Sequence, residues 1–470
     1  MIKMAFFSKA YILSILPKNT TKASDMKRSS LLGLKNWFSK KNKKPLILRG
    51  ARQVGKSTLV RMFCKEQGLD LLEINFEKTK LTSVQKNQKK MEEILDEIQL
   101  LLSKKITSNS LIFLDEIQEQ PEMLKFLRFF YEERPELNVI AAGSLLELAL
   151  KSEDFSFPVG RVEFYYLSPF YFSEFLLATG QDLLYENLEK GNFSSAVHLQ
   201  ATEQLKKYFY IGGMPQVIQT YIDEKSIVSA QEIHHQIIQS YYSDFPKYNN
   251  KIKHERLEKV FLSMIHLLGK KIIYSKVDSQ AQARDTRKVI ELLIDAKILL
   301  PCYHTDATNS PLLGQQDLSI SKMYFLDIGL LNSLLRLDPL SIDNEFRQQF
   351  NTKGFLAEQF IAQHINYWDG PTRMSSLNFW LRDKGIQKGE IDFLIEKNNQ
   401  IIPIEIKSSA SGHLKSLFYF SKEHKINFAI KLSLAPFSRE KVSHIINEEK
   451  QELEILSLPL YAVEFLKNHL

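Results

Sequence analysis

Short apolar runs alternate with amphipathic helical patterns over the first third of the chain. The runs have strand length, the patterns between them repeat apolar residues at helical spacing, and together they cover residues 45–48, 57–66, 71–76, 91–102, 111–114, 123–131 and 139–142. Strands that alternate with helices predict a parallel sheet covered on both faces. We therefore expect an α/β domain over residues 31–165.

Beyond this domain the pattern changes in three steps. Aromatic-rich sequence with a helical pattern predicts a helical lid or connector over residues 166–250. Two amphipathic helical repeats and an apolar run then predict a winged-helix-like region over residues 251–330, and helix–strand alternation returns over residues 345–470. Residues 1–30 show no regular pattern. We expect a poorly ordered extension there, with Met26 as a second candidate for the start of the chain.

Composition fits a multidomain globular chain. Its 470 residues are too many for one ordinary core, and 44% of them are hydrophobic. No run of 18 or more uncharged apolar residues occurs, so we expect no membrane-spanning helix. Cys64 and Cys302 have neither zinc-site nor disulfide spacing, which favours the reducing cytoplasm. The net charge of +7 allows contact with nucleic acid without requiring it.

Residues 50–57, Gly-Ala-Arg-Gln-Val-Gly-Lys-Ser, fit the phosphate-loop pattern between a predicted strand and a predicted helix. Glycines let the backbone amides converge on phosphate oxygens, and the helix adds the positive end of its dipole. Lys56 would bind the outer phosphates of ATP, and Ser57 would ligate Mg²⁺. An unrelated glycine turn would not need this strand and helix. The expected nucleotide-binding residues are Gly50, Arg52, Gln53, Val54, Gly55, Lys56, Ser57 and Thr58.

Two adjacent acids, Asp115 and Glu116, end the third apolar run. Such a pair is a weak signal alone, but it becomes a strong one when it follows a phosphate loop at this distance. Asp115 would hold Mg²⁺ directly or through water, and Glu116 would orient and deprotonate the attacking water. A base at Glu116 favours a hydrolase over a small-molecule kinase.

Two further positions each allow two interpretations. Ser144, at the end of the fourth apolar run, could sense the outer phosphate or cap the N-terminus of a helix. Arg161 could act catalytically on the phosphates, either within its own chain or across a contact in a homo-oligomer. The alternative for Arg161 is a structural ion pair.

In their order, these motifs resemble a family of bacterial and archaeal AAA-type ATPases whose C-terminal half is a domain of unknown function. The resemblance covers most of the chain from about residue 31, and its members are known chiefly as ATP-binding proteins. It therefore implies a fold and ATP binding more than a biological role. The segments that carry it are Gly50 to Ser57, Asp115-Glu116, Ala142-Gly143-Ser144, Gly160-Arg161, Leu167 to Phe170, Gly212 to Pro215, Tyr324 to Gly329 and Gly354 to Glu358.

A hairpin is predicted near the C-terminus. Residues 389–395 and 401–407 read as two strands around a polar turn at 397–400. Because strand residues alternate faces, the apolar and charged residues of each strand separate. One face of the first strand would carry Ile391, Phe393 and Ile395 and the other Glu390 and Asp392, while Glu405 and Lys407 would share a face of the second strand.

Glu358, Asp392, Glu405 and Lys407 match, in order and type, the pattern of PD-(D/E)XK nucleases. Glu358 lies on an apolar helical stripe, where a carboxylate is costly to bury without a partner. Asp392 and Glu405 would hold Mg²⁺ with help from Glu358, and Lys407 would position the attacking water. The alternative is an inherited nuclease fold that binds a partner and keeps the four side chains as a polar network.

Three basic residues lie on or before the second helix of the winged-helix-like region: Arg284, Arg287 and Lys288. They could enter a major groove of DNA, or the region could serve as a lid or a subunit contact.

The sequence thus predicts an α/β chain with an AAA-type ATPase domain, a helical and winged-helix middle and a nuclease-like C-terminal domain. The expected function is Mg²⁺-dependent ATP hydrolysis that drives a switch acting on DNA through the C-terminal half. The alternative is a nucleotide-switched protein-interaction module with an inactive nuclease-like domain.

Overall fold

The computed structural model describes residues 26–85, 90–144, 146, 160–248, 252–337, 354–373, 377–383, 388–407, 414–446 and 448–470. Positions 1–25 of the expected N-terminal extension lie outside these residues. Met26 and Arg28 are already buried, so the packed part of the chain begins before the expected boundary at residue 30.

The first sheet has five parallel strands in the order β2-β3-β4-β1-β5. Its strands are β1 Leu46–Arg49, β2 Asp70–Asn75, β3 Ser110–Asp115, β4 Asn138–Ala142 and β5 Glu163–Tyr166. Its helices are α1 Ser30–Phe38, α2 Lys56–Gln67, α3 Thr82–Gln85, α4 Met91–Leu102 and α5 Glu122–Glu133. Since all strands are parallel, the carboxyl ends of β1 and β3 lie at the same edge of the sheet.

Alternate residues of each strand enter two different cores. In β3, Leu111 and Phe113 pack in the core that contains Val60 of α2, whereas Ile112 and Leu114 pack in the core on the other face, formed with α4 and α5. All six residues of β3 are buried. Strands of a parallel sheet that is covered on both faces are apolar along nearly their whole length, which is why the sequence pattern located them.

Strand β5 was not predicted. The aromatic run Phe164-Tyr165-Tyr166, at the expected boundary between the α/β domain and the helical region, pairs in parallel with β1, with Phe164 opposite Ile47. Aromatic residues favour strands. Because the run is only a few residues long, its periodicity could not separate a strand from a helix.

Helices fill the middle of the chain. They are α6 Phe172–Ala178, α7 Asp182–Glu189, α8 Ser195–Ile211, α9 Pro215–Glu224, α10 Ile227–Tyr248, α11 His254–Leu267, α12 Tyr274–Val277 and α13 Ala283–Asp295. A later helix, α14 Ile328–Leu334, packs against α8 and α10. In the part of the chain that the structure describes, no helix combines the length and the apolar composition needed to cross a membrane.

The second sheet is mixed and has the order β12-β13-β11-β10-β9-β8-β6-β7. Its strands are β6 Leu299–Thr305, β7 Gln316–Phe325, β8 Leu377–Arg382, β9 Gly389–Lys397, β10 Gln400–Ile406, β11 Phe428–Ser433, β12 Ser438–Ile446 and β13 Glu449–Pro459. Helices α15 Phe355–Ile365 and α16 Lys415–His424 and a terminal 3-10 helix, Leu460–Asn468, accompany it. Because β6 pairs in parallel with β8, the hairpin of the expected winged-helix region belongs to the same sheet as the C-terminal strands.

The predicted C-terminal hairpin is present as the antiparallel pair β9–β10, with Lys397 opposite Gln400. One detail of its faces is wrong. Ile391 packs in a different core from Phe393 and Ile395. The pairing of β8 with β9 shifts register between Asn378 and Trp380, so strict alternation does not hold at Ile391.

Three of the segments that carry the family resemblance meet at a buried junction. The Phe170 amide donates to the Gly213 carbonyl at 2.7 Å, and the Gly213 amide donates to Asp327 Oδ2 at 2.6 Å. A Cβ on Gly213 would lie 2.1 Å from the Phe170 carbonyl oxygen, so only glycine fits there. The junction fixes the start of α9, at Pro215, beside the loop that follows β1.

Candidate functional site

The loop between β1 and α2 has a backbone that most side chains avoid. Gln53 has φ 65°, and Gly55, immediately before α2, has φ 91°. A Cβ on Gly50 would lie 2.4 Å from the Leu167 carbonyl oxygen. The loop is therefore tightly turned and held against the segment after β5, and it delivers the chain directly into the N-terminus of a helix.

A cavity of about 500 Å³ opens over this loop. It contains all but one of the expected nucleotide-binding residues, since Gly50 lies outside its lining. The lining residues are Met26, Arg28, Arg52, Gln53, Val54, Gly55, Lys56, Ser57, Thr58, Leu59, Met62, Glu116, Phe170, Pro215, Gln216 and Gln219.

The Lys56 side chain lies along the loop. Its ammonium donates to the carbonyl oxygens of Gly50, at 3.0 Å, and Ala51, at 2.8 Å, and the residue is only 6% exposed. This places one positive charge at the floor of the cavity, beside the start of α2.

Ser57 and Asp115 meet across the carboxyl edge of the sheet. The Ser57 hydroxyl donates to Asp115 Oδ2 at 2.9 Å, and Asn75 Nδ2 donates to the same oxygen at 3.4 Å. Within the described residues, Asp115 Oδ1 is buried without a hydrogen-bond partner. Burial raises the pKa of the Asp115 carboxyl. A hydroxyl beside a carboxylate with one uncommitted oxygen is an oxygen donor set that suits Mg²⁺.

Glu116 also faces the cavity. Its backbone has φ 50°, a strained conformation for a non-glycine residue, of the kind that clusters at functional sites. Gln118 Nε2 donates to Glu116 Oε2 at 2.7 Å, and the Ser144 hydroxyl lies 3.5 Å from the same oxygen. Two neighbouring strand ends therefore hold this carboxylate in place, and Ser144 lies beside it.

Arg161 lies elsewhere. It forms an ion pair with Glu132 at the end of α5, and Glu132 also binds Arg128 at 2.9 Å. Arg161 is not among the described residues that line the cavity. The structure thus brings Lys56, Ser57, Asp115 and Glu116 together and, within one chain, leaves Arg161 outside the group.

One wall of the cavity was missed by the sequence analysis. Met26, Met62, Phe170 and Pro215 give it an apolar surface, and Gln216 adds an amide. Pro215 belongs to the Gly-Gly-Met-Pro segment, whose two glycines signalled a close backbone approach but not its partner. Met26 had no detectable signal, because it precedes the first periodic segment.

Arg28, which also lines the cavity, packs against Phe170 of this wall. Its guanidinium lies 4.1 Å from the centroid of the Phe170 ring, donates to the Ser168 carbonyl at 2.8 Å and pairs with Glu174 at 3.5 Å. These contacts connect the residues before α1 to the segment after β5.

Side chains of helix α10 bind the tip of the phosphate loop. Arg52 Nη1 lies 2.5 Å from Asp244 Oδ2, and Gln53 Nε2 donates to the Ser240 hydroxyl at 3.1 Å. The Tyr241 hydroxyl donates to the Arg52 carbonyl at 3.1 Å. The phosphate loop is therefore held directly by a 22-residue helix.

The expected C-terminal residues also come together. The Ile406 amide donates to Asp392 Oδ2 at 2.7 Å, and Lys407 binds Glu405. Burial raises the pKa of Glu405 to about 8 and that of Glu358 to about 7.

Two residues of β7 complete this carboxylate cluster and were missed. The Tyr324 hydroxyl donates to Glu358 Oε2 at 2.8 Å, and buried Lys322 forms ion pairs with Glu358 and Glu390. A lysine that precedes the apolar run 323–326 was the available signal, since a buried ammonium requires a carboxylate partner. Within the described ranges, no group of three or more His, Cys, Asp or Glu side chains is arranged to hold a metal ion. Binding of Mg²⁺ by Glu358, Asp392 and Glu405 therefore stays a prediction.

The basic residues of α13 are exposed. Arg284, Arg287 and Lys288 lie on its outer face, where Arg287 pairs with Glu291 at 2.9 Å. The inner face, with Val289 and its apolar neighbours, is buried.

Family models match three stretches of the chain. Residues 42–176 match an AAA domain. Residues 202–341 and 353–455 match two domains of unknown function, DUF8612 and DUF4143. No curated protein matches the chain significantly.

Several solved structures resemble the chain at low identity. The Walker-type ATPase PABY2304 of Pyrococcus abyssi is 16% identical, with 68% of this chain and 98% of that chain covered and a TM-score of 0.43. The Aeropyrum pernix ORC1 protein in complex with DNA is 12% identical, with 70% and 94% covered and a TM-score of 0.27. The Aeropyrum pernix ORC2 protein is 12% identical, with 68% and 94% covered and a TM-score of 0.32.

The parallel sheet, the loop geometry and the AAA-domain match agree. The first part of the chain is a P-loop ATPase-like domain of the AAA type, and it is joined to a second domain built on a mixed sheet.

Proposed function

We propose that the chain binds ATP in the cavity over residues 50–58 and hydrolyses it there. The observation that carries this proposal is the 2.9 Å contact of the Ser57 hydroxyl with Asp115, next to Glu116 in the wall of the same cavity. A phosphate loop alone would serve a kinase or a binding protein equally well. A carboxylate that faces the cavity one residue beyond Asp115 adds the base that a water nucleophile requires.

Each residue then has a defined role. The turned loop and the first amides of α2 bind the phosphates, and the Lys56 ammonium exchanges its carbonyl partners for oxygens of the outer phosphates. Glu116, held by Gln118, accepts a proton from the attacking water. Ser144 lies beside Glu116 and orients it.

Ser57 and Asp115 would hold Mg²⁺, since the Asp115 carboxylate has a buried oxygen without a partner. The ion, when bound with ATP, neutralises charge on the phosphate oxygens. Asn75 donates to the Asp115 carboxylate and fixes its orientation.

The adenine base lies against the apolar wall. Met26, Met62 and Phe170 give it thioether and aromatic contacts, and the Gln216 amide supplies polar atoms at the rim. This arrangement makes the start of α9 and the residues before α1 part of the binding site.

The test is ATP turnover by Lys56→Ala, with Lys65→Ala as a matched control. Both lysines are on α2, but Lys65 is exposed and lies outside the cavity. We expect Lys56→Ala to lose turnover with an unchanged circular dichroism spectrum, and Lys65→Ala to keep it. Turnover by Lys56→Ala at the wild-type rate would refute the site.

We further propose that ATP acts as a switch on the second half of the chain. Its support is the grip of α10 on Arg52 and Gln53, because a loop that rearranges around phosphates must change these contacts. We place the protein in the cytoplasm, where its two cysteines, both free and buried, would stay reduced.

DNA is the partner that we favour for this second half. The support is the exposed basic face of α13, which follows two helices and precedes a hairpin, the element order of a winged helix. Its outer face carries these three positive charges with Glu291, and Asp285 beside Arg284 is partly exposed.

A fluorescence-anisotropy titration with duplex DNA tests this partner. The triple change Arg284→Ala, Arg287→Ala and Lys288→Ala should weaken binding and make it less salt-dependent, since each phosphate contact contributes roughly −0.9 to the slope of log K against log salt. Lys441→Ala, on the exposed strand β12, is the control and should bind normally. Equal binding by the triple variant would favour the second candidate, a nucleotide-switched protein-interaction module.

A further inference from the structure

Lys322 is a buried lysine in the middle of a group of acids. It lies on β7, in the hairpin that precedes the C-terminal strands, and its side chain is 2% exposed. Its ammonium pairs with Glu390 and lies 3.7 Å from Glu358 Oε2. The Phe379 ring lies on another side, 5.2 Å from the ammonium. Burial of an ammonium is costly unless carboxylates surround it, so this position is specified by its partners.

The remaining acids have partners from the protein. Tyr324 donates to Glu358, the Ile406 amide donates to Asp392, and Lys407 binds one oxygen of Glu405. The turn after α11 closes over Glu358, since a Cβ on Gly269 would lie 3.0 Å from Glu358 Oε2. Among the described carboxylates of this cluster, the second oxygen of Glu405 is buried without a hydrogen-bond partner.

A divalent cation requires a different arrangement. Mg²⁺ takes near-octahedral oxygen ligands at about 2.1 Å, and a bound ion would face the Lys322 ammonium among the same carboxylates. Two positive centres so close together repel each other, because the buried surroundings of the Lys322 ammonium screen them little. The described side chains provide no group of three ligands arranged for a metal.

We propose that Lys322 is a built-in counter-ion, an ammonium that takes the place of a divalent cation in the carboxylate cluster of Glu358, Glu390, Asp392 and Glu405. The cluster then joins the β6–β7 hairpin to α15 and to the β9–β10 hairpin as an internal ion-pair network. The C-terminal domain does not cleave phosphodiesters at this cluster, and it works as a binding module that the ATPase domain controls. This last step rests on the proposed ATP switch, whereas the Lys322 assignment does not.

Mn²⁺ without nucleotide is the probe, so that failure of the ATPase proposal does not affect the result. Thermal unfolding of the full chain is followed with and without Mn²⁺ for the wild type, Lys322→Met and Asp392→Asn. We expect Mn²⁺ to leave the wild type and Asp392→Asn equally unaffected. Mn²⁺ should raise the melting temperature of Lys322→Met by several degrees, because the carboxylates that have lost the lysine ammonium then gain a cation.

A plasmid-nicking assay is the second measurement, and it needs no Lys322 variant if that protein fails to fold. Wild type and Asp392→Ala, with Mg²⁺ or Mn²⁺, should show the same background nicking. The proposal is overturned if Mn²⁺ stabilises the wild type but not Asp392→Asn. Nicking that disappears in Asp392→Ala would overturn it as well.

Discussion

The nucleotide site and the carboxylate cluster place a lysine near acids in opposite ways. At the nucleotide site, Lys56 binds backbone carbonyls, Asp115 keeps one oxygen uncommitted, and a cavity of about 500 Å³ separates the residues from the far wall. In the cluster, Lys322 binds the carboxylates themselves. The same residue types thus leave one site open for a charged ligand and complete the other.

The difference shows what a motif alone can establish. The phosphate-loop residues and the four nuclease-like residues are both brought together in space, as the sequence predicted. Among the described residues, the first set lies around a cavity, with the Lys56 ammonium at its floor. The second is balanced by a residue outside its motif, and motif matching by itself does not detect such a residue.

The largest expected effect is on ATP turnover, which should depend on the nucleotide site and not on the carboxylate cluster. Glu116→Gln should lower ATP turnover by at least about 100-fold, since it removes the general base while preserving shape. Glu405→Gln should leave turnover unchanged. A coupled phosphate-release assay measures both. Glu119→Gln, an exposed neighbour of Glu116, is the control for a local structural effect. Normal turnover in Glu116→Gln would remove the hydrolase argument.

The next effect compares the two buried lysines by stability. Lys322→Met leaves Glu358 and the partly exposed Glu390 without their counter-ion and should cost roughly 3 kcal/mol in the free energy of unfolding. Lys56→Met removes the donor that the Gly50 and Ala51 carbonyl groups share and should cost about 1–2 kcal/mol. Urea denaturation of the two variants and the wild type gives both numbers. Equal losses would contradict the contrast between the two lysines.

A carboxyl outside both sites should make the free energy of unfolding depend on pH. Glu464 is buried near Glu174 and His364, accepts hydrogen bonds from Ser173, and has its pKa raised by burial to about 7. The pKa of Glu464 is higher in the folded than in the unfolded chain. Its contribution to the free energy of unfolding is therefore fully present below pH 4.5 and is lost as the pH rises through 7.

The wild type should therefore lose up to roughly 3 kcal/mol of unfolding free energy relative to Glu464→Gln between about pH 5 and pH 8.5. Denaturation curves at the two pH values measure it. Parallel pH profiles for the two proteins would show that Glu464 does not titrate in this range.

The smallest effect concerns the grip of α10 on the phosphate loop. Asp244→Asn should weaken ATP binding by about fivefold, or roughly 1 kcal/mol, because the partly exposed ion pair that holds Arg52 is lost. Isothermal titration with ATP measures the change. Glu232→Gln, on an exposed face of the same helix, should bind ATP normally. An unchanged affinity in Asp244→Asn would separate α10 from the nucleotide site.

Sequence patterns were sufficient where the physical signal is local. The buried strands β1 to β4 and the β9–β10 hairpin lie where apolar runs and alternation placed them, within a few residues at each end. Strand β5 was missed because its aromatic run is too short to show a period.

Long-range partners were not accessible in this way. Lys322 and Tyr324 reach the carboxylate cluster because their hairpin joins the second sheet through the pairing of β6 with β8. Pro215 reaches the cavity from a distant part of the chain. No local pattern encodes either approach. Arg161 had two open interpretations. Within one chain it pairs with Glu132, as the structural alternative expected, and a role across a subunit contact stays a prediction.

The most direct test counts Mn²⁺ bound to the full chain by electron paramagnetic resonance, with and without a non-hydrolysable ATP analogue. We predict one bound Mn²⁺ that requires the nucleotide, disappears in Asp115→Asn and is unchanged in Asp392→Asn. Mn²⁺ that binds without nucleotide and disappears in Asp392→Asn would contradict the contrast between the two sites.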